Sequence, residues 1–249
     1  MRFSAAPFRE LPPVTKALVV AVFAGWLLQL VFGFRASLYF GLVPARFVGS
    51  LWLWQAFTYI FLHAGFWHFL FNAFMLWMLG RIVEPAMGSR KFLVYFLGCG
   101  VAAALLTAAW TPGSAVPVIG ASGAVYGLLG AFAFLYPNAQ IYLYFLFPVS
   151  ARTMAIALGT LEFVMTLSRT GSKISSVTHL GGLAAGLLWL WVERRRRERP
   201  VYEAPDPGEL EREEIDRLLE KVSRKGQGAL SRQELERLDD YAKRKGGRA

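Results

Sequence analysis

The sequence is poor in the residues that metal and redox chemistry draw on. It has a single cysteine, Cys99, in 249 residues. That excludes an intrachain disulfide and any CxxC site, and Cys99, inside an apolar run, reads as a packed free thiol. There are three histidines: His63, His68 and His179. They form no HxxxH or HExxH pattern, and a five-residue spacing between His63 and His68 suits one helix face poorly. No metal and no cofactor are expected. Acids are scarce too: before residue 193 there are only Glu10, Glu84 and Glu162.

What is there is apolar. Hydrophobic residues make up 55% of the chain and charged residues 18%, with a mean hydropathy of +0.40. The first 192 residues carry 11 Lys/Arg against three acids, and the last 57 carry 16 Lys/Arg against 14 acids. A long, nearly charge-free body followed by a short charged tail is the pattern of a membrane domain with a soluble appendage. Of the net charge of +10, +8 lies in the apolar body. There it serves topology and anionic lipid rather than nucleic acid, so no nucleic-acid partner is expected.

A spanning helix needs about 20 apolar residues. Lys16–Phe34 qualifies; Arg2, Arg9 and Lys16 before it resemble a signal-peptide front, but no small-x-small cleavage site follows, so it reads as an uncleaved first span. His63–Gly80, Phe92–Trp110, the shorter Gly120–Tyr136, Pro148–Leu167 and Ser176–Val192 complete an expected six-helix bundle. Twelve basic residues would lie on one side and four on the other. The expectation is therefore a multi-pass protein of the cell (inner or plasma) membrane with both termini cytoplasmic. Arg35–Leu62, dense in Trp52, Trp54, Phe57, Tyr59 and Phe61, reads as an external, partly inserted amphipathic loop. Gln140–Phe147 is apolar but too short to span, and reads as a loop along the interface.

The domain reading is a cytoplasmic segment at 1–14, a six-helix body at 15–192, a basic and proline-rich linker at 193–208, and a helical hairpin at 209–249. In the tail, Leu210, Ile215, Leu218, Leu219 and Val222 recur at helical spacing, and Gly226 and Gly228 break the helix. Ser231 followed by Glu234 is a capping box opening a second helix with Leu235 and Leu238. The fold class expected is an all-α membrane protein with a small cytoplasmic helical tail whose partner is unknown.

Polar side chains inside a bilayer are expensive and mark function. Here they are His68, Asn72, Ser122, Tyr126, Glu162 and His179, with His63 near a helix end. Ser122 sits in Gly120-Ala-Ser-Gly123, where flanking glycines permit close approach of a substrate and a helix start leaves backbone N–H groups free to face a developing oxyanion. The same residues are equally what a plain small-residue helix contact would use. His179, Gly182 and Gly186 share a face, and the GxxxG pair allows close approach to a neighbouring helix. If that neighbour carries Ser122, His179 becomes its base, since histidine titrates near neutrality; otherwise it satisfies a carbonyl. His68 and Asn72, four apart, point two donors one way, as an oxyanion hole or an interhelical clamp. Tyr126, one turn after Ser122, stacks on His179 or packs as an aromatic. Glu162 reads as an interfacial carboxylate rather than an orienting partner of His179.

The HxxxN of the second span, the GxSG opening the fourth and the His with a following GxxxG in the sixth together resemble the rhomboid family of intramembrane proteases. The segment Gly80-Arg-Ile-Val-Glu-Pro-Ala-Met-Gly88 is similar to that family's stretch after its second span. The resemblance covers roughly residues 15–192 and looks like the bacterial type with an appended hairpin. It implies a six-transmembrane fold and a serine endopeptidase that cuts transmembrane segments of other membrane proteins. It assigns Ser122 as nucleophile and His179 as base, in a dyad without an acid. It assigns His68, Asn72 and the Ser122 N–H as the oxyanion hole, Tyr126 as the stacking partner and Phe71 as part of a substrate gate. Two rival readings are an inactive rhomboid-like protein that binds membrane clients, and a small transporter with His68, Asn72 and His179 along a polar path. The first should lack the Ser or the His, and the second should show repeat symmetry; neither feature is found.

Overall fold

A computed structural model describes residues 11–143, 147–167, 173–197 and 207–246. The chain divides into two compact units, Met1–Arg197 and Glu198–Ala249.

The first unit opens with α1 (Pro13–Phe32). Three short helices follow, α2 (Phe34–Phe40), α3 (Pro44–Gly49) and α4 (Gln55–Thr58), and a 3-10 turn at Tyr59–Phe61. Then come α5 (Phe66–Met87), α6 (Ser89–Trp110) and α7 (Ser122–Leu135). A hairpin of β1 (Gln140–Leu143) and β2 (Phe147–Ser150), paired antiparallel with Gln140 opposite Ser150, leads into α8 (Ala151–Leu167) and α9 (Lys173–Arg197). The core is built around α7, nine of whose 14 residues are buried. α1 is peripheral by contrast, burying Thr15, Leu18 and Val22.

The expected count of six spans is corrected here. Among the described residues, four helices are long and apolar enough to cross a membrane: Pro13–Phe32, Phe66–Met87, Ser89–Trp110 and Ile174–Arg196. α7 has 14 residues and at 1.5 Å per residue reaches about 21 Å, short of a hydrocarbon core of about 30 Å. α8 has 17 residues, because the start of the expected fifth span, Pro148–Ser150, belongs to β2. The reason is physical. Hydropathy responds alike to burial in protein and to burial in lipid, and α7 is apolar because other helices surround it. The expected second span, His63–Gly80, is also shifted: α5 starts at Phe66 and continues through Gly80 to Met87. The interfacial loop expected at Gln140–Phe147 is, in its described part, the β-hairpin.

A buried carboxylate organises one end of the bundle. Glu84, near the C-terminus of α5, accepts from the Val14 N–H at 3.0 Å, the Thr15 N–H at 2.6 Å and the Thr15 hydroxyl at 2.7 Å. It also accepts from the Ser89 hydroxyl at 2.7 Å. The first turn of α1 has no side-chain cap of its own, so a carboxylate 70 residues away takes its unpaired donors and complements its dipole. Lys91 of α6 pairs with Glu193 of α9. These contacts bring the start of α1, the end of α5, the start of α6 and the end of α9 to one end, together with Lys16, Arg81, Arg90, Lys91 and Arg194–Arg197. Glu84→Ala is expected to lower unfolding stability by about 2–3 kcal/mol, the worth of charge-assisted hydrogen bonds to buried donors. Unfolding in detergent checks this, and a loss under about 0.5 kcal/mol would mean that water caps α1 equally well.

The region 35–62 is compact. Gln55, fully buried, accepts from the Val43 N–H at 3.0 Å, and Arg46 lies over the Trp52 ring at 4.9 Å. Tyr59 is buried and donates to the Gly100 carbonyl at 2.7 Å, whereas Phe57 and Trp54 are exposed.

The second unit holds α10 (Pro207–Lys225) and α11 (Arg232–Gly246). Ile215, Leu218 and Leu230 form its core, with Val222, Leu238 and Tyr241 against them. Leu219 and Leu235 are exposed. The Ser231 N–H donates to Glu234 at 2.7 Å and the Glu234 N–H to the Ser231 hydroxyl at 3.3 Å, a reciprocal capping box. Hydrogen bonds from Lys221 first, and then from the Ser231 backbone, hold the Glu234 carboxyl down from its ordinary 4.5 to about 2. A depressed carboxyl stabilises the fold above its unfolded value, and that contribution fades as pH falls through 4.5 toward 2. The Glu234 carboxyl carbon resonance is expected to titrate with a midpoint near 2; a midpoint near 4.5 would show that the contact with Lys221 does not form in solution. The linker expected at 193–208 is α9 as far as Arg197, and 198–206 lie outside the described residues.

Candidate active site

Ser122 is the first residue of α7, so its backbone N–H and the next two have no intrahelical partner. The approach to it is pinned. The Gly120 N–H donates to the Tyr59 carbonyl at 2.9 Å, and the Ala121 N–H points at His63 Nε2 at 3.5 Å. Gly120 has φ +132°, a conformation that disfavours any residue with a Cβ. A Cβ there would also lie 2.9 Å from His68 Nε2 and 3.7 Å from Ser122 Oγ. Gly120 thus leaves the space in which the His68 ring and the serine hydroxyl face the same turn.

His179 reaches Ser122 because α9 and α7 touch backbone to backbone. A Cβ on Gly182 would lie 1.8 Å from the Gly123 carbonyl oxygen, and one on Gly186 would lie 3.1 Å from the Gly127 Cα. Two small-residue pairs, Gly182 on Gly123 and Gly186 on Gly127, set the register. One turn before Gly182, His179 then places Nε2 2.8 Å from Ser122 Oγ. The Tyr126 ring stacks on the imidazole, with centroids 4.5 Å apart and planes at 7°.

His68 accepts the Ala64 N–H on Nδ1 at 3.3 Å, which leaves the proton on Nε2, the nitrogen beside Gly120. Asn72, buried one turn on, donates Nδ2 to the His68 carbonyl at 2.8 Å, so one of its two amide hydrogens is engaged within its own helix. Phe71 is exposed on α5. The His63 ring packs edge-on against His68 at 5.1 Å. Among the described residues there is no group of three or more His, Cys, Asp or Glu able to hold a metal ion. Cys99 is buried and packs where a Cβ on Gly127 would go. A cavity of about 660 Å³ opens between α7, α8 and α9, lined by Phe134, Arg152, Phe163, Leu183 and Arg194 among others. None of Ser122, His179, His68 and Asn72 lines it.

The reading of Glu162 is corrected. Far from being an interfacial group apart from His179, it sets Oε1 2.7 Å from His179 Nδ1. The same oxygen accepts the Tyr126 hydroxyl at 2.8 Å, and the Ser176 hydroxyl hydrogen-bonds the carboxylate as well. The signal was visible: Glu162 is the one acid between residues 85 and 192. What sequence spacing lacked was the face of α8 that meets α9.

Taken together, the apolar helices and the polar groups at their interior define a multi-pass helical membrane protein. The Rhomboid domain family matches residues 50–196, and the chain belongs to the rhomboid family. It is 33% identical over 148 residues to the Bacillus subtilis rhomboid protein YdcA, covering 59% of this chain and 70% of that one. It is 33% identical over 151 residues to the mitochondrial rhomboid protein 1 of Saccharomyces cerevisiae, covering 56% and 43%. With the rhomboid protease GlpG of Pectobacterium atrosepticum it shares 28% over 190 residues, 76% and 65% of the two chains. The chain therefore spans less than half of the yeast relative's length. The tail, residues 209–244, matches a family of unknown function, DUF6576.

Proposed function

We propose that this protein is an intramembrane serine endopeptidase that cleaves transmembrane segments of other membrane proteins, with Ser122 as nucleophile and His179 as general base. The observation that carries the reading is the 2.8 Å contact between His179 Nε2 and Ser122 Oγ, held by backbone-level packing of α9 on α7. His179 Nε2 takes the proton of Ser122 Oγ as that oxygen bonds to a substrate carbonyl carbon. The carbonyl oxygen becomes an oxyanion, received by the Ser122 N–H, His68 Nε2–H and the free amide hydrogen of Asn72. Such donors contribute about 3–4 kcal/mol each when aligned on the oxyanion. As the tetrahedral centre collapses, the C–N bond breaks and His179 passes its proton to the leaving nitrogen. Water, deprotonated by the same histidine, then attacks the acyl ester, and Ser122 is regenerated. Phe71, exposed beside this end of α5, lies on the surface from which a substrate helix would approach.

The orientation follows from charge. Lys16, Arg81, Arg90, Lys91 and Arg194–Arg197 cluster at the Glu84 end, and Ser122, His179 and His68 lie at the starts of α7, α9 and α5, the opposite end. Excess Lys/Arg stays in the cytoplasm. On this reading the termini of the membrane unit and the charged tail are cytoplasmic, and the site faces the outside of the cell membrane.

The test is cleavage of a single-span reporter protein in proteoliposomes, with mass spectrometry of the products. Wild type should cut within or beside the transmembrane segment and Ser122→Ala should not. Equal cleavage by Ser122→Ala would sink the assignment.

A further inference from the structure

We infer that Glu162 completes a Ser122–His179–Glu162 relay, as a positioning residue that holds the imidazole in the tautomer able to take the serine proton. The inference rests on the proposed protease reading and adds an acid to it. A carboxylate in an apolar helix requires a reason. On α8 the neighbours of Glu162 are Leu161, Phe163, Val164 and Met165, all exposed apolar side chains. Glu162 itself turns inward, its side chain 13% exposed against 19% for His179. Among the described residues, the hydrogen-bond partners of its carboxylate all belong to the site: Tyr126, Ser176 and His179. Among the described residues it makes no ion pair with a lysine or arginine.

The geometry determines what it does. An ionised carboxylate only accepts hydrogen bonds, so the 2.7 Å contact to Nδ1 requires the proton to sit on that nitrogen. The lone pair of Nε2 is then directed at Ser122 Oγ, 2.8 Å away. Without the carboxylate, the tautomer protonated on Nε2 is open to His179, and that form cannot accept the serine proton. When the proton does move to Nε2, the imidazolium forms beside a negative charge already in place. Tyr126 serves both partners, its ring stacked on the imidazole and its hydroxyl on Oε1 of Glu162. The carboxylate is thus fixed from α7 and α9, and α8 is tied to the base through a single side chain.

Three measurements test this in the full-length protein in proteoliposomes. For Glu162→Gln, kcat on the reporter should fall by about 100-fold or more, as expected when the orienting acid of a serine protease is neutralised, with KM within threefold of wild type. Glu162→Asp keeps the charge and should recover at least tenfold of that loss. In wild type labelled with 15N-histidine, the ring nitrogen shifts of His179 at pH 8 should report a proton on Nδ1. This last measurement needs no variant, so a misfolded substitution does not decide the matter. Glu162→Gln within threefold of wild type in kcat, or His179 protonated on Nε2, would overturn the relay. Ser122→Ala separates the two levels of the reading. If it is inert while Glu162→Gln is fully active, only the relay fails; if it cleaves like wild type, the protease reading itself fails.

Discussion

His179→Ala is expected to lower kcat for reporter cleavage by at least about 10⁴-fold, and Ser122→Ala by as much. In the proposed mechanism both groups act in one step, so their losses should not add. The double variant should be no slower than Ser122→Ala alone, because a base without a nucleophile does nothing and a serine hydroxyl without a base is a poor nucleophile. KM should change little, since neither side chain is placed to hold a substrate helix along its length. The comparison is made by steady-state kinetics in proteoliposomes on the two single variants and the double. A His179→Ala protein retaining a tenth of wild-type kcat would mean that another group activates the serine. Additive losses would mean that the two side chains serve separate steps.

Gly182→Ala carries the second largest expected effect, although the residue does no chemistry. Its added Cβ would lie 1.8 Å from a backbone oxygen, that of Gly123, and no side-chain rotation relieves a clash with backbone. α9 must move away from α7. Overpacking of this kind costs about 1–3 kcal/mol in stability. A shift of about 1 Å between nucleophile and base costs about 100-fold in rate. Gly98→Ala is the matched control. It lies in α6, and an added Cβ there meets only the Trp189 ring at 3.5 Å, an ordinary contact. Replacing a helical glycine with alanine under those conditions should stabilise by up to about 1 kcal/mol and leave cleavage unchanged. Thermal unfolding and kcat for the two variants decide this. Equal behaviour of Gly98→Ala and Gly182→Ala would remove close packing as the device that brings His179 to Ser122.

The contrast between these two glycines shows how far local pattern reaches. The GxxxG spacing at Gly182 and Gly186 announces a close helix contact, but it does not name the partner helix. Only the fold identifies Gly123 and Gly127 as its counterparts. Glu162 is the clearest case of the same limit. Its chemistry was evident and its direction was not, because a helix of 17 residues offers a side chain every facing, and its neighbours decide which one meets His179. The span count failed for a related reason. α7 is as apolar as a membrane helix, yet its burial comes from protein on all sides.

By itself, then, the sequence determined the membrane character of the chain, its charged tail, the capping box at Ser231 and Glu234, and the roster of polar groups inside the apolar body. Each of these depends on composition or on spacings of three or four residues, which local backbone geometry translates directly into structure. The tertiary structure alone decided which helices are long enough to cross a membrane, that Glu84 caps a helix 70 residues away, and that Glu162 faces His179. Those outcomes depend on contacts between segments far apart in the chain, and such contacts are set by how whole surfaces pack rather than by any periodicity within one helix.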